Sequence, residues 1–193
     1  LGRTLGGFLT AAIELAEAAG ELHQLGRVHG DITPYNVGTR DGHPVVIDFE
    51  MWVAPGQQLL MPNGAKKQRL MGCTPSCSSP EQVTMQPVHE TSDVYCLVLT
   101  ILSWVTGRFG VCGAREAQTF IDSMVLCAHA EYPHWEIVRQ RLICGSLINI
   151  FTRGLSHCPY DRQYNGTDLA LALRLAQTLL SGTELARPLL VSD

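Results

Sequence analysis

"VHGDITPYNVGTRDGHPVVIDFE", residues 28–50, sets Asp31, Asn36 and Asp48 inside two short apolar runs joined by a tight turn. Val45, Val46 and Ile47 read as a buried strand ending at Asp48, and Arg40-Asp41-Gly42-His43 carries the Asp-Gly signal of a hairpin turning back to Tyr35-Asn36-Val37. Such a hairpin brings the three polar groups to one end. Two carboxylates and an amide are all oxygen donors, the set that suits a hard divalent cation such as Mg2+ and its phosphate ligands. Taken singly, Asp-x-x-x-x-Asn also suits a capped turn, and an aspartate can simply end a strand.

Upstream of the hairpin, Ile13, Leu15, Ala16, Ala19, Leu22 and Leu25 recur at near-helical intervals, which predicts an amphipathic helix over 10–25 with Gly26 as its stop. Downstream, residues 51–79 lose all periodicity and fill with Pro, Gly, Gln, Lys and Ser, the mark of a long functional or disordered loop. Ser92 and Asp93 suit the cap of a helix that runs to about Thr106, buried on nearly every side. Further helices are expected over 114–129, 135–151 and 168–180, with a turn near Pro133. The expected fold is mainly α with one small β-hairpin.

The totals narrow the class. A chain of 193 residues suits one domain or a large lobe of one. With 46% hydrophobic and 17% charged residues it should be globular, and its net charge of -4 excludes a basic phosphate-binding surface, so nucleic acid is not expected as a partner. Seven cysteines at scattered positions lack the paired spacing of a zinc site; Cys73 and Cys77 have no matching pair elsewhere. Free thiols in a reducing, intracellular compartment (cytoplasm or nucleus) follow. "VYCLVLTILSWVTG" is too short for a membrane span, and none is expected. The abrupt opening at Leu1 reads as a segment of something longer.

Asp31 precedes Asn36 by five residues, and Asp48 stands in Ile47-Asp48-Phe49. In this the chain resembles the protein kinase superfamily, whose catalytic loop has Asn five residues after its Asp and whose metal-binding aspartate begins Asp-Phe-Gly. The resemblance runs on in order. "AAIELAEAAGELHQLGRVHGD" (11–31) is similar to the helix leading into the catalytic loop, and "TPSCSSPEQ" (74–82) to the end of an activation segment, with Ser79-Pro80-Glu81 standing for Ala-Pro-Glu. "TSDVYCLVLTILSWVTG" (91–107) resembles the large central helix, and "GLSHCPYDRQ" (154–163) the late segment whose arginine pairs with that glutamate. The whole chain, 1–193, then corresponds to a kinase-like C-terminal lobe: catalytic loop 28–37, metal-binding motif 47–50, activation segment 48–81, central helix 92–106. No Gly-rich loop or strand lysine precedes residue 1, so the N-terminal lobe is absent from this chain and is expected upstream as a partner.

The resemblance implies roles. Asp31 orients the acceptor hydroxyl and takes its proton; Asn36 and Asp48 hold the Mg2+ ions that bridge the ATP phosphates. His29 and Phe49 pack to fix the site, Asp93 accepts backbone N–H groups of the catalytic loop, and Glu81 pairs with Arg162. Thr74 faces substrate and catalytic Asp, which implies serine or threonine acceptors on a protein substrate.

The departures are informative too. Gly30 replaces the arginine that in many kinases receives a phosphorylated activation loop, which implies activity without that phosphorylation. Thr33 stands at the catalytic-loop position where a lysine is usual, Glu50 replaces the last glycine of Asp-Phe-Gly, and Gly38 replaces a bulky residue under the adenine ring. The Asp-Ile-Thr-Pro-Tyr-Asn setting is similar to herpesvirus-encoded serine/threonine kinases, which would place the protein in a host cell. "HGD…N…IDFE" also resembles aminoglycoside and choline phosphotransferases, which act on small molecules, and the departures alone also suit a pseudokinase binding module. The expected activity is that of a protein serine/threonine kinase, with negligible turnover from residues 1–193 alone.

Overall fold

The computed structural model describes residues 4–59, 77–106 and 137–181 of the chain. Five α-helices, two short 3-10 helices and one two-stranded antiparallel sheet make up these residues. The helices are α1 (Leu5–Gln24), α2 (Pro80–Val83), α3 (Glu90–Thr106), α4 (Ile137–Gly154) and α5 (Gly166–Ser181). The strands are β1 (Val37–Arg40) and β2 (His43–Val46).

The hairpin forms because its turn is chemically specified. Asp41 and Gly42 both take positive φ, 53° and 86°, as a two-residue turn matched to the twist of the strands requires. That turn pins the register at Arg40↔His43 and Val37↔Val46. The first strand therefore lies at 37–40, not at the expected 35–37, and the second stops at Val46. Tyr35 and Asn36 belong instead to a 3-10 turn, Pro34–Asn36, capped by Thr33. Pairing still continues one step past the strands, because Ile47 N–H donates to Asn36 O at 2.9 Å.

α1 starts at Leu5, five residues before the expected boundary, since Thr4 Oγ1 accepts Gly7 N–H at 3.0 Å and caps the first turn despite Gly6 and Gly7. α3 starts at Glu90, so Ser92 and Asp93 lie inside its first turn. α4 ends three residues beyond the expected 151, and α5 starts two residues before the expected 168. The expected helix over 114–129, the turn near Pro133 and most of the irregular 51–79 stretch lie outside the described residues.

One apolar core joins four helices: Leu9 and Leu15 of α1, Leu97 and Ile101 of α3, Ile143 and Phe151 of α4, Leu169 and Leu173 of α5. Each such side chain stabilises the fold by about 1.5–3 kcal/mol through its removal from water. α3 is buried continuously from Ser92 to Ser103, as the apolar run implied. No helix among the described residues is long and apolar enough to cross a membrane. α1 and α5 approach backbone to backbone where Gly20 faces Gly166 and Thr167; a Cβ on Gly20 would lie 2.5 Å from Thr167 Oγ1. This crossing brings the end of α1, the start of α5 and the start of α3 to one buried point, directly beneath the 28–37 segment.

Candidate functional site

Asp93 ties the 28–37 segment to α3. Its carboxylate, fully buried, accepts His29 N–H at 2.6 Å on Oδ2 and Gly30 N–H at 2.9 Å on Oδ1. Desolvating a carboxylate is costly unless its lone pairs are satisfied, and here they are. A third partner is His23 at the end of α1, whose Nε2 lies 3.0 Å from Oδ2. His23 Nδ1 accepts the Gly166 N–H at 3.0 Å, so its lone pair faces α5 and Nε2 carries the hydrogen that Asp93 receives. His23 is a residue the sequence did not single out. Its partners lie 70 and 143 positions away.

His29 is buried, with its ring orientation fixed from both sides: Asp31 N–H donates to Nδ1 at 3.3 Å, and Nε2 lies 3.2 Å from the Ile47 carbonyl, which can only accept. Phe49 packs on the same ring at 5.1 Å between centroids, and Trp52 packs edge-on to Phe49 at 6.4 Å. Trp52 also carries the Arg27 guanidinium 5.0 Å above its ring. Asp48 sits between two residues that both touch His29, in a left-handed conformation with φ of 66°, and is exposed. Its Oδ1 accepts Glu50 N–H at 3.4 Å.

Asp31 and Asn36 are brought into direct contact. The Asn36 amide donates to Asp31 O at 2.8 Å and to Asp31 Oδ2 at 2.9 Å. Both amide hydrogens are thus committed, and the carbonyl Oδ1 is the atom of Asn36 that a cation could use. With the Asp48 carboxylate close in the chain to Ile47, which pairs with Asn36, the donor set is oxygen throughout and fits Mg2+ rather than a softer metal. Among the described residues no group of three or more His, Cys, Asp and Glu is arranged to hold a metal. The candidate set here has only two acids and an amide.

Thr33 is buried, and its Oγ1 accepts Asn36 N–H at 3.3 Å, which fixes the turn carrying Asn36. Thr74 lies outside the described residues. Glu81 and Arg162 form a bidentate pair at 2.6 and 3.0 Å, nearly excluded from water, and Arg162 also donates to Thr91 O and stacks 4.9 Å above the Tyr95 ring. Burial raises the Glu81 carboxyl, but the hydrogen bonds from Arg162 and Ser92 and the Arg162 charge prevail and hold it below its ordinary value.

A cavity of about 1140 Å3 lies elsewhere, against this ion pair and between α2, α4 and α5, with Tyr160, Tyr164, Leu171 and Leu175 on its walls. It does not include Asp31, Asn36 or Asp48. Asp31 and Asn36 meet at the hairpin's open end, next in space to the strand that leads to Asp48, so the candidate site is placed there. Cys77 and Cys96 are buried and Cys158 is exposed, all three outside any disulfide.

No family model matches the chain. Over 89 residues it is 35% identical to the serine/threonine-protein kinase C of Synechocystis sp., a stretch that makes up 45% of this chain and 16% of that protein. The chain thus spans well under two thirds of that relative's length. Over the matched part it is similar to a serine/threonine protein kinase.

Proposed function

We propose that the chain is the catalytic lobe of a protein serine/threonine kinase, transferring the γ-phosphate of ATP to a protein hydroxyl. The observation that carries this is the Asp31–Asn36 contact at 2.9 Å at the open end of the hairpin that also carries Asp48. Asp31 would accept the proton of the attacking hydroxyl while Asn36 holds its carboxylate in one orientation. Asn36 Oδ1 and the Asp48 carboxylate are the groups that would hold Mg2+. The metal, when bound, supplies positive charge that offsets the phosphate oxygens. Asp93, His29 and Thr33 keep the loop in place, and Phe49 packs beneath it. Thr74 is proposed to face the acceptor.

The buried Glu81–Arg162 pair, which anchors the Ser79-Pro80-Glu81 turn, supports a protein rather than a small-molecule acceptor. Half-exposed Ile47, Phe49 and Trp52 beside the site support an upstream lobe that covers the phosphates. The scattered cysteine spacing supports an intracellular setting, and the Asp31–Asn36 string supports the viral type of kinase in a host cell.

The test is phosphate transfer from Mg2+-ATP to a generic basic protein by the full-length polypeptide, with an aminoglycoside panel alongside. Asp31→Asn should lower kcat by about 100- to 10,000-fold without changing the melting temperature. Transfer to aminoglycosides alone, or none by a folded full-length protein, would overturn the reading.

A further inference from the structure

We infer that Gln82 is a positioning residue: from α2 it holds the peptide group that leads into Asp31, in place of any side chain at position 30. The effect on turnover rests on the kinase reading above, whereas the bonding does not.

Gly30 has φ of 79°, a conformation that L side chains rarely adopt, and a Cβ there would lie 2.7 Å from Leu59 Cδ2 and 3.1 Å from Met51 O. Position 30 therefore offers no side chain through which a distant segment could steer the loop. The 30–31 peptide is instead held at both ends. Its carbonyl, Gly30 O, accepts from Gln82 Nε2 at 2.6 Å in a buried bond, and its N–H, that of Asp31, donates to His29 Nδ1 at 3.3 Å.

The Gln82 amide can sit only one way round. Its Oε1 accepts Ser79 N–H at 2.7 Å and the Cys96 thiol at 3.3 Å, and a backbone N–H can only donate. Its Nε2 must then face Gly30 O, which can only accept. Gln82 is 7% exposed, so neither bond competes freely with water. One side chain thus joins the start of α2, the middle of α3 and the 28–37 segment, and does so without a charged group.

The discriminating variant is Gln82→Glu. It retains an acceptor for Ser79 N–H, so the α2 start survives, but an ionised carboxylate cannot donate to Gly30 O. Once protonated it can, and burial favours protonation. Amide hydrogen exchange within 28–37 should accelerate about ten- to a hundredfold in Q82E at neutral pH, the loss expected when one buried carbonyl loses its donor, with α1 and α5 unchanged. In the full-length protein kcat should fall by a similar factor while the KM for ATP holds. The ratio of Q82E to parent activity should rise as the pH is lowered. Gln82→Met, of similar length and unable to donate at any pH, should show the same losses without acid recovery. Unchanged exchange in 28–37 for both variants, or equal pH profiles for Q82E and Q82M, would overturn the inference. If the parent protein transfers no phosphate, the exchange result still decides the role of Gln82, and only the kinase reading falls.

Discussion

Arg162 and Glu81 meet through two parallel hydrogen bonds with almost no access to water, 81 residues apart in sequence. Removing one partner of such a pair leaves the other charge buried and alone, which typically costs about 3–5 kcal/mol. Arg162→Ala should therefore lower unfolding stability by that amount in urea titration, more than Arg153→Ala, whose guanidinium, among the described residues, bonds to carbonyls in the α4–α5 loop. Equal effects would show that the pair has no special weight.

The same pair sets an acid limit. Glu81 has a folded-state value below its unfolded one, so its contribution is fully present above the ordinary carboxylate value of 4.5 and is lost as the pH falls through the folded value. The urea midpoint should drop on acidification below that point. In Glu81→Gln the acid limb should be flatter.

At the α1–α5 crossing, a Cβ on Gly166 would meet Ala16 O and lie 2.5 Å from Gly20 N, both backbone atoms that cannot swing aside. Gly166→Ala should cost about 1–3 kcal/mol through forced separation of the helices. Thermal melts measure it, with Gly145→Ala in α4, where a Cβ meets nothing within 4 Å among the described residues and the change should stabilise by about 0.5–1 kcal/mol, as the comparison.

His23→Ala should leave the Gly166 N–H and one Asp93 lone pair unpaired in a dry site. The expected cost is about 1–3 kcal/mol for each group stranded. Faster exchange of the Gly166 amide, alongside a lowered melting temperature, would be its signature.

Ser78 and Ser79 are buried, and position 30 carries no cation for a phosphate to meet. A full-length protein with Ser76, Ser78 and Ser79 all changed to Ala should keep the proposed phosphate transfer to within about threefold, since no charge-assisted contact is lost. A drop of a hundredfold would show that a phosphorylated segment is required.

What could be read from the chain followed from how local each signal was. Asp41-Gly42 announces its own turn, and the alternating burial of α1 announces its helix, so both were visible, although Thr4 was hidden behind two glycines. Asn36 was expected in a strand because Val37 follows it, whereas Pro34 and the Thr33 cap impose a 3-10 turn first. Only a family resemblance points from Asp93 to the backbone of the 28–37 segment; by its neighbours it reads as a cap. His23 gives no local signal, because its partners lie 70 and 143 residues away, and Gln82 signals only the cap of α2 through Ser79, while its bond to the loop spans 52 residues. A buried glutamine opposite a residue without a side chain is the pattern that could have flagged the second.

The His23 junction gathers residues 23, 93 and 166, so the ground under Asp31 is incomplete until α5 has been made and docked. A polypeptide still emerging from the ribosome could form its hairpin within microseconds yet hold no ordered acidic loop. A chain cut short before Gly166 would therefore leave His23 Nδ1 without this N–H and the 28–37 segment on an incomplete base, whatever else it had already folded.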